Sequence, residues 1–137
     1  MKIGFTASTF DLLHAGHIVM LKEAKSQCDY LIVGLQTDPT IDRPDTKNKP
    51  IQSLFERYVQ LKACSYVDEI VPYSTEKELV DILQTYHIDV RIIGEEYKEV
   101  NFTGKELVYD IFYNKRRHSF STTELRNRVV ENDKGKK

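Results

Sequence analysis

A strand, a helix and a second strand follow one another at the start of the chain, and this order limits the fold more than any other feature. Residues 2–6, KIGFT, form a short apolar run, and residues 30–35, YLIVGL, form a longer one of the kind that is buried on both faces of a sheet. Between them, residues 15–28 place apolar side chains at helical spacing, with lysines and a glutamate on the opposite side. The three segments predict a right-handed βαβ unit.

The same alternation continues along the rest of the chain, with helices predicted at residues 53–64 and 76–86 and strands at 69–72, 90–93 and 108–113. A last helix is predicted to begin near Thr122, directly after a serine that suits its N-cap. We therefore expect an α/β fold, a single Rossmann-like domain with an open, mostly parallel five-stranded sheet and helices on both faces. The domain is expected to span residues 1–132, followed by a polar tail at 133–137.

Composition and charge argue against several classes of function. The chain of 137 residues has a net charge of −1 and therefore lacks the basic field of a nucleic-acid-binding protein. No apolar run approaches the roughly 20 residues that span a bilayer, and no signal peptide precedes the first strand. We expect a cytoplasmic protein without a membrane or nucleic-acid partner. Cys28 and Cys64 fit no disulfide or zinc pattern and are expected to be reduced core thiols.

The loop after the first strand carries the residues best suited to chemistry. It ends in HAGH, which places His14 and His17 where the first helix begins. Parallel sheets bind ligands at the carboxyl ends of their strands, and a helix N-terminus attracts phosphate. Two imidazoles on one turn can donate hydrogen bonds to phosphate oxygens, and Gly16 lets a ligand approach the backbone. The alternatives are a purely structural pair and a zinc site, although zinc needs a third ligand that is not evident.

A second helix start, near the end of the chain, offers similar chemistry. Ser121, Thr122 and Thr123 present hydroxyls and backbone amides, and Arg116 precedes them. The alternative is an ordinary cap beside a solvated arginine. The proline-rich segment 38–52 is predicted to be a long loop, and loops of that length are usually functional or disordered.

These segments together resemble a known family. Residues 9–17, TFDLLHAGH, are similar to the HxGH signature of the nucleotidylyltransferase superfamily. With DYLIVGLQTD after the first helix, they resemble the cytidylyltransferases, above all the glycerol-3-phosphate cytidylyltransferases. Four further stretches match this pattern in order: Glu56-Arg57, YVDEIV at 66–71, DVRIIGEE at 89–96 and RRHSFSTT at 116–123.

The resemblance implies a reaction, in which CMP passes from CTP to a phosphorylated alcohol, with glycerol 3-phosphate favoured, and pyrophosphate is released. It implies that His14, His17, Arg116 and a loop lysine, either Lys47 or Lys49, act on the phosphates. The implied nucleotide contacts are Thr9, Phe10, Asp11, Gly16, Arg57, Gly94, Ser121, Thr122 and Thr123. Mg²⁺ would enter with the triphosphate rather than at a metal site of the protein, with Asp11 as one candidate ligand. A homodimer is also implied.

The chain departs from the family pattern at four places. Ser8 and Ser119 stand where the family has glycine, Ser65 stands where it often has arginine, and residues 97–105 have no clear counterpart. Because Ser119 lies near the expected base pocket, adenylyl transfer from ATP to a phosphorylated small molecule or sugar phosphate stays open. A non-catalytic nucleotide-binding module is a third hypothesis. Segment 97–105 is expected in the acceptor pocket or a dimer contact, and choline, ethanolamine and sugar phosphates stay open as acceptors.

Overall fold

Five parallel strands form the centre of the molecule in the computed structural model, which describes residues 1–135. The elements are β1 (Ile3–Ser8), α1 (Ala15–Ser26), β2 (Tyr30–Gln36), α2 (Leu54–Lys62), β3 (Glu69–Tyr73), α3 (Glu76–Thr85), β4 (Val90–Gly94), a 3₁₀ turn (Glu95–Tyr97), β5 (Asp110–Asn114) and α4 (Thr122–Lys134). The strands lie in the order β3-β2-β1-β4-β5, and every neighbouring pair is parallel. The predicted Rossmann-like domain is confirmed.

Helices cover both faces of this sheet, and each face has its own cluster of buried apolar side chains. One cluster joins α1 and α2 to the sheet through Leu21 and Leu61, and the other joins α3 through Ile82 and Leu83. Strand β2 serves both clusters, since Leu31, Val33 and Leu35 belong to the first and Ile32 to the second. Burial on both faces explains why YLIVGL is apolar without interruption.

The ends of some elements differ from the prediction. Strand β5 begins at Asp110 rather than at Val108, which is buried in the preceding loop. Helix α4 continues to Lys134, past the predicted domain boundary at residue 132, and the last two residues of the predicted tail, 136 and 137, lie outside the described residues. No helix within residues 1–135 combines the length and apolar character needed to cross a membrane.

Strands β1 and β4 lie side by side at the point where the chain reverses its direction of travel across the sheet. From β1 the chain moves outward to β2 and β3, and it then returns to β4 and moves outward to β5 on the other side. The loops that leave β1 and β4 therefore diverge, which opens a crevice above the carboxyl ends of these two strands.

Arg57 ties the loops above β1 and β2 to helix α2. Its side chain is 2% exposed, and its nitrogens donate to four carbonyl oxygens: Nη1 to Thr9 and Gln36, at 3.0 and 2.6 Å, Nη2 to Thr37 at 2.7 Å, and Nε to Gln52 at 3.3 Å. Arg57, which the resemblance implied as a nucleotide contact, lies in neither of the two cavities above the sheet. The guanidinium is committed to backbone oxygens and positions the loops that border the crevice.

Replacing Arg57 with methionine should lower the free energy of unfolding by about 3 kcal/mol, because several enclosed carbonyl oxygens would lose their donor. Urea unfolding followed by circular dichroism measures this change. Arg128 on the exposed side of α4 provides the matched control, and Arg128→Met should change the free energy of unfolding by less than about 0.5 kcal/mol. Equal stability of the two variants would contradict the anchoring role of Arg57.

Candidate active site

Two open cavities lie side by side above the carboxyl ends of β1 and β4. The first, of about 450 Å³, is bordered by the starts of α1 and α4. The second, of about 550 Å³, is bordered by the proline-rich loop, the start of α3 and residues 101–103. Both cavities are lined by Ala7, Ser8, Ile93 and Tyr97, so they meet over the ends of the two central strands. The arrangement offers adjoining compartments for two reactants.

His14 and His17 cap the start of α1 through reciprocal hydrogen bonds. The Nδ1 atom of His14 accepts from the backbone amide of Gly16 at 3.0 Å, and Nδ1 of His17 accepts from the amide of His14 at 3.1 Å. Their ring centroids are 4.0 Å apart. The two imidazoles thus do for this helix what serine and glutamate do in an ordinary capping box.

Both imidazoles are held in their neutral form. Burial lowers the pKa of His17 to about 4, and the nearby His14 adds to this effect. Burial also lowers the pKa of His14, with the charges of His118 and Arg116 acting in the same direction. A neutral ring whose Nδ1 accepts a backbone proton carries its own proton on Nε2. Each histidine of the pair therefore presents one fixed N–H donor.

The starts of α1 and α4 meet across the first cavity. Nε2 of His14 lies 3.0 Å from Oγ1 of Thr122, to which it donates in the tautomer described above. Ser121 caps α4 by accepting from the backbone amide of Glu124 at 3.0 Å, as predicted. Ser121 and Thr122 line the cavity together with His14 and His17. The two predicted anion sites are thus brought together, whereas Thr123 is exposed and borders neither cavity.

The imidazoles of His14 and His118 lie close to Gly16 in the first turn of α1. A Cβ atom at this position would lie 2.8 Å from Cε1 of His14 and 3.1 Å from Cε1 of His118. Any larger residue would displace these rings. The requirement for glycine therefore comes from the packing of the histidines as well as from the approach of a ligand.

His118 adds a third imidazole to the first cavity that the sequence reasoning missed. Its Nδ1 accepts from the backbone amide of Phe120 at 3.1 Å, and its ring stacks on that phenylalanine with centroids 5.0 Å apart. In its neutral form His118 therefore also carries its proton on Nε2, like His14 and His17. The available signal was the imidazole within RRHSFSTT, three residues before the cap of α4.

The remaining predicted phosphate contacts divide between the two cavities. Arg116 and Gly94 line the first cavity, and Thr9 and Lys47 line the second. Lys49 borders neither. The ammonium group of Lys49 lies 2.8 Å from the carboxylate of Asp38 and lowers the pKa of that carboxyl to about 2. The Lys49 side chain is 77% exposed. Of the two loop lysines, Lys47 is thus the one placed beside a cavity.

Asp11 supports the site from outside both cavities. Its carboxylate accepts from the backbone amides of Ile51 and Gln52, at 2.8 and 3.0 Å, and from Nη2 of Arg126 at 3.1 Å. Burial alone would raise the pKa of Asp11, but these hydrogen bonds bring it below its usual value. Asp11 was a candidate contact for the nucleotide or a metal ion, and in this structure its oxygens tie the proline-rich loop and α4 to the first loop.

Phe10, a predicted nucleotide contact, lies beneath the first cavity and does not line it. Its side chain is 1% exposed and belongs to the core, and its ring packs against His17 with centroids 5.6 Å apart. Phe10 and Leu12 have φ angles of 50° and 52°, in the left-handed region that non-glycine residues rarely adopt. Strain of this kind is typical of functional loops, and here it turns the chain sharply between β1 and α1.

Three further residues around the cavities were not anticipated. Glu96 brings a carboxylate to the first cavity, and Arg43 and Arg91 bring guanidinium groups to the second. Arg91 left a signal, since it interrupts the apolar strand sequence VRIIG. Across residues 1–135 no three histidine, cysteine, aspartate or glutamate side chains are grouped so that they could hold a metal ion.

The sequence was compared with those of known proteins. A family model described as Cytidylyltransferase-like matches residues 5–128. The bifunctional protein HldE of Caulobacter sp. (strain K31) is 36% identical over 108 residues, which cover 79% of this chain and 22% of that protein. The ethanolamine-phosphate cytidylyltransferase of Dictyostelium discoideum is 33% identical over 141 residues, which cover 96% of this chain and 38% of that protein. The chain thus spans well under half the length of these relatives.

Solved structures share the fold of this chain. A lipopolysaccharide core biosynthesis protein from Thermoplasma volcanium has a TM-score of 0.70 at 24% identity, covering 86% of this chain and 99% of that one. A bifunctional NMN adenylyltransferase/ADP ribose pyrophosphatase from Francisella tularensis has a TM-score of 0.67 at 16% identity, covering 95% and 42%. Since the family model matches residues 5–128, almost the whole of the described chain, this protein belongs to the cytidylyltransferase-like family.

Proposed function

We propose that this protein transfers CMP from CTP to a phosphorylated alcohol and releases pyrophosphate. The main support is the meeting of two helix starts at one cavity, where fixed imidazole donors on α1 face the hydroxyls of α4. A second cavity that carries cations adjoins the first. One compartment therefore suits a triphosphate, and its neighbour suits a phosphorylated acceptor.

The chemistry is a direct displacement at phosphorus. An oxygen of the acceptor phosphate attacks the α-phosphorus of CTP, and the bond to the bridging oxygen of the departing pyrophosphate breaks. The acceptor phosphate is already an anion, so no protein base has to remove a proton. The Nε2–H group of His17 stabilises the charge that develops on the phosphate oxygens, and that of His14 does the same when a phosphate oxygen replaces the Thr122 hydroxyl as its acceptor.

Cations complete the phosphate environment on both sides. Arg116 borders the first cavity and balances charge on the triphosphate. Lys47 borders the second cavity, on the long loop, and balances charge on the acceptor phosphate or on the departing pyrophosphate. Mg²⁺ enters as part of the nucleotide substrate, coordinated by phosphate oxygens and water, since the oxygens of Asp11 are already engaged.

Replacing either His14 or His17 with alanine should lower kcat by at least about a hundredfold, because a preplaced donor at the reacting phosphate is lost. Pyrophosphate release under saturating CTP and acceptor measures this. His87 is the matched control, because it is a solvent-exposed imidazole paired with Asp89 and borders neither cavity. His87→Ala should keep the wild-type rate, and near-normal turnover of His17→Ala would count against the mechanism.

Adenylyl transfer is the second candidate function. The serine at position 119 departs from the family pattern beside His118 and Phe120, and one structural neighbour is named an NMN adenylyltransferase. The relative named an ethanolamine-phosphate cytidylyltransferase, at higher identity, favours CTP.

Pyrophosphate release measured in parallel with CTP, ATP, GTP and UTP decides between the candidate bases. We expect kcat/KM to be at least about tenfold higher with CTP than with ATP, since one set of hydrogen bonds to a base edge discriminates by at least this factor. A preference for ATP would transfer the proposal to adenylyl transfer. Tight binding of CTP without turnover on any phosphorylated acceptor would indicate a non-catalytic nucleotide-binding module.

We also propose that the protein forms a homodimer through the outer face of α2. Phe55 and Val59 lie one turn apart on α2 and are 75% and 49% exposed, and Ile51, just before the helix, is 66% exposed, so one chain leaves this apolar surface in water. Light scattering during gel filtration should give twice the mass of one chain. Phe55→Glu should shift the protein towards the monomer. Lys77→Glu, at an exposed position of α3, should not. A wild-type monomer would contradict this proposal.

A further inference from the structure

A buried guanidinium borders the second cavity without a direct ion-pair partner among residues 1–135. Arg91 is only 5% exposed, which is unusual for an arginine, and it lies in β4 between Val90 and Ile92. Its Nη1 atom donates to the carbonyl oxygen of Thr103. No carboxylate within residues 1–135 forms an ion pair with it. The protein therefore carries the cost of burying this charge without neutralising it by direct contact.

The unused donors of Arg91 are available to a ligand. Burial lowers the pKa of the guanidinium, while Tyr73, Glu76 and Glu106 act in the opposite direction, and arginine stays protonated at neutral pH in either case. A guanidinium has five N–H donors, and Nη1 supplies the bond to Thr103. Because Arg91 lines the second cavity, a ligand with acceptor oxygens can use the remaining donors there.

The charged side chains that line the second cavity leave a net positive charge. Asp42 accepts from the backbone amide of Glu76 at 2.6 Å, and the carboxylate of Glu76 accepts from Arg43 at 2.9 Å. Both acids are therefore already engaged with groups of the protein. Lys47 adds a further cation, so the lining carries three cations and two anions. The lining of the second cavity therefore has a net positive charge, which favours acceptor oxygens over a cationic head group.

Two of the three aromatic rings that line the second cavity are closed to an alkylammonium group. The ring of Phe102 already has Arg91 over it, 4.9 Å from the centroid, and Lys105 at 5.5 Å. Tyr73 is 6% exposed and shows little of its ring to the cavity. Tyr97, which is 37% exposed, is the third ring, and one open ring falls short of the several aromatic faces that form a cage for choline-like groups.

A loop that lacks a counterpart in the family pattern folds over Arg91. Gly104 has a φ of 75°, which favours glycine, and a Cβ there would overlap Leu83 and lie 3.2 Å from Nη1 of Arg91. This turn brings Asn101, Phe102 and Thr103 to the second cavity, where they join Arg91 in its lining. Of the two readings of segment 97–105, its placement supports the acceptor pocket.

Arg91 lies away from the point where the two cavities meet. That meeting point includes Ile93, two residues further along β4, and two residues of a strand span roughly 6–7 Å. Arg91 borders the second cavity and not the first. With the acceptor phosphate beside the nucleotide, Arg91 therefore faces the opposite, distal end of the acceptor.

We propose that Arg91 and the loop 101–104 select organic phosphates whose distal end carries hydroxyl or anionic oxygens, such as polyol and sugar phosphates, over alkylammonium phosphates. The assignment rests on the proposed nucleotidyl transfer for its account of what happens to the acceptor. It goes beyond that function by naming the chemical class of the acceptor and the residues that read it.

Calorimetric binding of four acceptors to the full chain tests the selection independently of turnover. We expect glycerol 3-phosphate and glucose 1-phosphate to bind at least about tenfold more tightly than phosphocholine and phosphoethanolamine, since charged hydrogen bonds to a guanidinium are at stake. Equal or tighter binding of either alkylammonium phosphate to the wild-type protein would overturn the inference. This comparison needs no variant and therefore does not depend on how a mutant folds.

Variants then assign the selection to Arg91. Arg91→Met should bring the four dissociation constants to within about threefold of one another while leaving CTP affinity unchanged, because CTP lies in the first cavity. Lys105→Met is the matched control, since Lys105 contacts the same Phe102 ring but borders neither cavity, and it should keep the wild-type ranking. An unchanged ranking in a folded Arg91→Met protein would overturn the role of Arg91.

Pyrophosphate release with the same acceptors separates this inference from the proposed function. Transfer to phosphoethanolamine with a kcat/KM equal to that for glycerol 3-phosphate would overturn the selection and leave nucleotidyl transfer standing. Absence of pyrophosphate release with every nucleotide and acceptor, together with selective binding of glycerol 3-phosphate, would remove the proposed reaction and leave the recognition site standing.

Discussion

The hydrogen bonds from backbone amides into the Nδ1 atoms of His14 and His17 are the interactions on which the site depends. They begin helix α1, and they also fix which nitrogen of each ring carries the proton. In the other tautomer, Nε2 would present a lone pair to phosphate oxygens and would repel them. Because burial keeps both rings neutral, they offer direction rather than full charge. In the proposed reaction, the departing pyrophosphate would then be held less tightly than by two imidazolium ions.

Some residues of segment 9–17 line the first cavity, and others support the loop from behind. His14 and His17 face the cavity, whereas Phe10 packs behind His17 and Asp11 fastens the loop to its neighbours. Arg57 holds the adjoining loop ends from α2. These supports allow the left-handed turn at Phe10 and Leu12 to persist, since the surrounding contacts over-determine it. A short motif can therefore require several residue types that never touch the ligand.

The fold could be predicted from the sequence because its main signals are local. The uninterrupted apolar β2 and the amphipathic α1 each report their own burial, and the HAGH segment marks a helix start that suits phosphate. Asp11 and Arg57 could not be assigned in this way. Asp11 binds backbone amides about forty residues further along the sequence. The local sequence pattern carries no information on such a long-range contact, so it cannot tell a ligand-binding residue from one that anchors a loop. Arg91 was passed over because its strand was interpreted by its apolar neighbours.

In the proposed reaction, the two cavities use separate residues for the two substrates. The walls of the first, which include Glu96 and His118, surround the nucleotide in the proposed arrangement, whereas Arg91 and residues 101–103 surround the acceptor. The imidazole pair and the start of α4 belong to the walls of the first cavity alone. Changes in the acceptor wall can therefore alter the substrate without disturbing the phosphate donors. This separation explains in physical terms why a match to the whole family fold leaves the acceptor open, and why the acceptor has to be argued from the charges that line its own cavity.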